Sequence, residues 1–128
     1  MTAAAGGEEV LRQTVQAFLE AFVAGDIPKT YSFSAEDWQA RCPIEDFSVI
    51  VNYARASLSL FTDLTAARVV IDEIRVEGDR GYHKGHLETD KGSVDFGEQQ
   101  DKRYPSYWIW RDGKWWATDD NPTPCKIQ

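Results

Sequence analysis

The sequence predicts an α+β domain, with helices in the N-terminal half and an antiparallel sheet in the C-terminal half. Three observations carry this. Apolar residues recur at steps of three and four through residues 8–24 and 43–61, then at every second position from residue 68. Two-residue turn signals, Gly78-Asp79 and Asp112-Gly113, each lie between strand-like runs. Helical and strand patterns do not alternate along the chain, which argues against a parallel sheet.

The elements follow in order. Residues 8–24 set Leu11, Val15, Phe18 and Phe22 on one stripe flanked by Leu19, an amphipathic helix. Glu8 and Glu9 suit its positive end, and Gly25 stops it. Asp26 caps a short helical turn with Pro28 in its first positions. SAED, residues 34–37, reads as a capping box: Ser34 accepts from the amide three residues on, and Asp37 reaches back. A short helix carrying Trp38 follows and ends before Pro43. Pro43 opens a third helix, with Ile44, Phe47, Val51, Ala54 and Leu58 along one face.

From residue 68 the period is two. With Gly78-Asp79 as the loop, Glu77 faces Arg80, Arg75 faces Tyr82, Glu73 faces Lys84 and Ile71 faces His86. The opposite-charge pairs favour this register. The other face sets Val70, Asp72, Ile74 and Val76 against Leu87, Gly85, His83 and Gly81, and is expected to point inward. Residues 90–102 are polar and glycine-bearing, and read as a long loop or an irregular edge strand. RYPSYWIWR and KWWATD form a second hairpin. In it Arg111 faces Lys114, Trp110 faces Trp115, Ile109 faces Trp116 and Trp108 faces Ala117. The turn-rich tail NPTPCKIQ receives no element.

Composition narrows the function classes. The chain has 128 residues, 14 Lys+Arg against 21 Asp+Glu, and a net charge of −7. One domain over 1–128 is expected, with 1–7 and 121–128 as flexible or docking tails. An acidic chain without a basic patch repels phosphate backbones, so nucleic acid is not an expected partner. No apolar run reaches 18 residues, so no membrane span is expected. The start lacks the layout of a secretory signal, and cytoplasmic localisation is the expectation. Cys42 and Cys125 have no metal-ligand spacing. Reduced thiols are the simple reading, with a bridge between them left open. No phosphate-loop, dinucleotide or metalloprotease motif occurs, and no cofactor or metal is expected.

The order of elements, with FLEAFVAGD (18–26), SAEDWQARCPIEDF (34–47), VVIDEIRVEGDRGYHKGHLE (69–88) and WIWRDGKWWATDD (108–120), resembles the nuclear transport factor 2-like superfamily. This group is also called the SnoaL-like or cystatin-like α+β cone. The resemblance implies a strongly curved sheet roofed by helices, a pocket at the wide end, and often a homodimer through the convex face. It implies no single activity.

Asp72 and His83 are the polar residues that break the expected inward pattern, diagonal neighbours flanked by Gly81 and Gly85. A carboxylate and an imidazole in a half-apolar cavity are material for acid–base chemistry. Ketosteroid isomerases, SnoaL-like cyclases and scytalone dehydratase place Asp or His in such a cone, but their positions do not map residue by residue here. Tyr31, Trp38, Tyr53 and Trp108 are expected pocket-lining residues. Tyr107, Ile109 and Trp116 form an apolar outer patch, read as a homodimer interface or as a surface covered by the tail. His86 falls on the outer face, in a solvated or interface role. Three functional readings compete. One is a homodimeric pocket protein for an apolar or aromatic small molecule. The second is a cofactor-independent cyclase, isomerase or dehydratase using Asp72 and His83. The third is a protein-interaction module or accessory subunit. A cavity lined by both Asp72 and His83 favours the first two, and a filled interior favours the third.

Overall fold

Helices precede strands along the whole computed structural model, which describes residues 7–60, 62–97, 105–119 and 125. The other tail residues, 1–6, 120–124 and 126–128, and residues 98–102 of the polar segment lie outside the described residues. Helix α1 (Glu8–Ala24) ends at Gly25, whose φ of 78° is left-handed. Helix α2 (Ile27–Ser32) starts under Asp26, whose carboxylate accepts from the Lys29 amide at 3.2 Å. Helices α3 (Glu36–Arg41) and α4 (Ile44–Ser59) follow, then a 3-10 turn at Leu64–Ala66.

The capping box is not formed as expected. Helix α3 takes Ala35 as its N-cap, and the Asp37 carboxylate accepts from the Trp38 amide at 3.0 Å. The cause is long-range. Ala117 donates its amide to Phe33 at 2.7 Å, and Ala35 donates to Ala117 at 2.9 Å. Residues 33–35 are thereby laid along a strand edge, and the helix begins one residue later. The same contact pairs both backbone groups of Ala117 on the outer edge of the sheet.

Strands β1 (Arg68–Glu77), β2 (Arg80–Thr89), β3 (Gly92–Gly97), β4 (Tyr107–Arg111) and β5 (Lys114–Thr118) form one antiparallel sheet in the order β1-β2-β4-β5. β3 pairs with β2 over its second half, so residues 92–97 are a paired strand and not a loop. The β4–β5 register is the expected one throughout, and Asp112 and Gly113 take positive φ values of 55° and 76° in its turn. The sheet is not strongly curled, which corrects the expected cone.

The first hairpin agrees with expectation only near its turn. Glu77↔Arg80 through Glu73↔Lys84 pair as read, but Ile71 then faces Gly85 and Val70 faces His86. A bulge inserts Asp72 as an extra residue. Beyond it every side chain changes face. Val69, Ile71, Ile74 and Val76 pack on the core, and Asp72 is exposed. A Cβ at Gly85 would sit 2.5 Å from the Val70 carbonyl oxygen, so the bulge needs glycine opposite it. Gly81 lies against Leu11 and Trp115 in the same way. The room expected beside His83 is therefore occupied.

Two apolar cores result. In the first, Leu11, Val15, Phe18 and Leu19 of α1 meet Trp108, Trp115 and Ala117. Phe18 stands edge-on to Trp108 with ring centroids 5.4 Å apart. In the second, Ala35, Trp38, Cys42, Phe47 and Val51 gather Ile109, Trp116 and Cys125. Cys42 and Cys125 form a disulfide with Cα atoms 5.2 Å apart, which corrects the reading of reduced thiols. Cys125 is thereby packed in the same core as Ile109 and Trp116 of the second hairpin.

Candidate functional site

The two residues expected to work together are held apart. His83 is buried beneath α1, at 1% exposure, and its Nδ1 accepts the Trp108 indole N–H at 3.0 Å. An indole nitrogen can only donate, so this His83 nitrogen carries a lone pair and the ring proton is on Nε2. His83 and Trp108 form a polar link inside the first core. Asp72, turned outward by the bulge, bonds to His86 Nδ1 at 2.7 Å. Glu88 meets the other ring nitrogen of His86 at 3.2 Å and is itself paired with Arg68.

This outer-face chain has a clear electrostatic order. Hydrogen bonds donated to Asp72, then to Glu88, hold the His86 pKa above the ordinary imidazole value. Arg68, then His86, hold the Glu88 carboxyl below its ordinary range. Both ring nitrogens of His86 are engaged by carboxylates, which leaves neither free to take a substrate proton. The cluster is an ion-pair chain along the strands and not the expected acid–base pair.

The expected lining residues serve the cores or the surface. Tyr31 is half-buried and donates its hydroxyl to the Cys42 carbonyl at 2.8 Å. Burial, then the nearby Glu45 charge, raises its pKa. Trp38 is buried, with its indole N–H toward Asp119 at 3.4 Å, and Trp108 is fully buried. Tyr53 is 66% exposed on α4. Of the expected interface residues, Tyr107 is buried, and Ile109 and Trp116 are half-buried against the second core. The Arg80 guanidinium lies 4.3 Å from the centre of the Tyr107 ring.

Two cavities stand out elsewhere, and neither is lined by Asp72 or His83. The larger, about 470 Å³, is a cleft between the C-terminal half of α1, Arg55 of α4, the 3-10 turn and the start of β1. Gln16, Glu20, Thr65 and two guanidinium groups, Arg55 and Arg68, supply its polar wall; Val23 and Val69 are on its apolar side. The smaller, about 310 Å³, lies between α3 and the β4–β5 turn, with Gln39, Arg111 and Trp116 on its wall. Among the described residues, no group of three or more His, Cys, Asp or Glu is arranged to hold a metal ion.

Sequence reasoning missed Arg55 and Arg68. An arginine on a helix edge or at a strand start reads as a solvated residue, and nothing local marks it otherwise. His86 was placed on the correct face, but its partner Asp72 was not.

Neither the family models nor the curated proteins compared with this chain match its sequence. Among solved structures it is similar to a Campylobacter jejuni protein provisionally named an NTF2-like transpeptidase. The TM-score is 0.61 at 11% identity, over 86% of this chain and 98% of that one. A likeness at this identity shows the fold, and the chain has an NTF2-like α+β fold.

Proposed function

We propose that this NTF2-like domain binds a small molecule, without transforming it, in the cleft between α1, α4, the 3-10 turn and β1. The observation that carries the reading is the cleft itself. At about 470 Å³ it falls in the size range of small-molecule sites, and it combines apolar walls with a few charged groups. Among the described residues no aromatic side chain lines it, and its described apolar wall is aliphatic, which suits an amphipathic aliphatic ligand. The separation of Asp72 from His83 weighs against an isomerase, cyclase or dehydratase built on that pair. Native mass spectrometry of purified protein tests the reading. A copurifying small molecule whose removal moves the amide resonances of Gln16, Val23 and Val69 is expected. A molecule that moves only distant amides would overturn it.

A second reading, a protein-interaction module, has its own support on α4. Val49, Tyr53 and Leu60 are 57%, 66% and 87% exposed and recur at steps of four and seven, the spacing of a helix face that enters a partner's groove. Homodimerisation through Tyr107, Ile109 and Trp116 has less support, because the chain itself covers most of their surface. We therefore propose a monomer, and a dimer mass in light scattering would refute it. The disulfide supports residence in an oxidising compartment over the cytoplasm. Free Cys42 and Cys125 thiols in acid-trapped cellular protein would refute that.

A further inference from the structure

We infer that the cleft takes a monoanionic amphiphile, with a carboxylate head seated on Arg55 and an aliphatic body against Val23 and Val69. The inference rests on the ligand-binding reading above and adds the chemical class of the ligand.

Arg55 is the reason. Arg41, Arg68, Arg75 and Arg111 each face a carboxylate within the chain. Arg55 has no carboxylate partner among the described residues. One of its NH groups donates to the Val23 carbonyl at 2.8 Å, at the C-terminal end of α1. Its Nε is buried and has no hydrogen-bond partner. A guanidinium carries five donors, and a buried donor left unpaired is destabilising. The site is also built around this side chain. A Cβ at Gly25 would fall 2.9 Å from an Arg55 terminal nitrogen, so the α1 stop leaves room for the guanidinium to lie flat.

The charge count chooses the ligand class. Arg68 is paired with Glu88, so Arg55 is the lining arginine without a carboxylate partner among the described residues, in a chain of net charge −7. One such cation matches one carboxylate. Glu20 accepts from Gln16 at 2.8 Å, and Arg68 is engaged by Glu88, so Arg55 is the cation left to receive the head group. Arginine suits this role because its planar fork matches a carboxylate with two parallel bonds.

Octanoate and octanol, of the same chain length, are the probes. Each is titrated into the 15N-labelled full chain and followed through amide shifts. Octanoate is expected to move the amides of Gln16, Val23, Thr65 and Val69, with octanol at least tenfold weaker. Arg55→Gln is expected to lose tenfold or more of the octanoate affinity, with Arg55→Lys intermediate. Arg55→Gln also loses the bond to Val23, so the octanol comparison in the unaltered chain decides independently of that variant's folding. Equal binding of both probes in the cleft would overturn the carboxylate inference and leave the binding reading standing. Octanoate shifts confined to other regions, or none, would overturn both.

Discussion

At His83 and Trp108 one hydrogen bond keeps two polar groups satisfied in an otherwise apolar core. His83→Ala removes the acceptor, strands a buried indole N–H and leaves a void under α1. Together these should cost about 2–4 kcal/mol, read from the midpoint of urea unfolding. His83→Asn, which keeps an acceptor, should cost less. The outer-face chain behaves differently because it is wet. Hydrogen bonds to Asp72, then to Glu88, raise the folded pKa of His86 above its unfolded value of about 6.5. With the folded pKa raised, its contribution to stability is fully present below about pH 6.5 and is lost as pH rises through the folded value. Asp72→Asn should bring the His86 NMR titration midpoint down toward the ordinary value. An unchanged midpoint would show that Asp72 does not hold the imidazolium.

Among the elements, the first hairpin shows how one residue changes an assignment. Its turn and the four residue pairs nearest it, Glu77↔Arg80 through Ile74↔His83, follow from Gly78-Asp79 and complementary charges, all local features. The bulge is not local, since a strict period of two carries its phase forward until something interrupts it. The interruption was visible as Asp72, a carboxylate on a face otherwise made of valine and isoleucine. Burying it unpaired would cost several kcal/mol, and one extra residue removes that cost by turning it to solvent. Gly85 is the other half of this arrangement. Gly85→Ala places a methyl 2.5 Å from a backbone oxygen that cannot rotate away. It should destabilise the domain by about 1–3 kcal/mol and shift the amides of residues 70–72. A neutral outcome would mean that the bulge is not where the register puts it. The capping box differs for the same reason, because backbone hydrogen bonds between Ala117 and residues Phe33 and Ala35 take precedence over a side-chain cap.

For the whole molecule, the disulfide joins the α3–α4 junction to the tail across 83 positions. In the chain-entropy account, closing a loop of that size stabilises the fold by about 4–5 kcal/mol. Reduction, or Cys42→Ser with Cys125→Ser, should lower stability by roughly this amount in chemical denaturation. It should also expose Ile109 and Trp116, seen as a red shift of tryptophan emission. No change in either readout would make the bridge incidental. The packing beneath α1 and the cleft are properties of the same scale. Tryptophans that composition alone could assign to a pocket wall instead fill the space beneath α1. The cleft of about 470 Å³ opens where α1, α4 and β1 diverge.

The order of helices and strands, the stop at Gly25, the Asp26 cap and the complete second-hairpin register were determined by the sequence alone. Each depends on periodicity, turn chemistry or capping among residues a few positions apart. Tertiary structure decided which way Asp72 points, that Cys42 meets Cys125, that His83 is closed in by Trp108, and that Arg55 faces a cleft. Those outcomes depend on contacts between distant segments, where a single inserted residue or a competing backbone bond changes the answer without leaving a local trace.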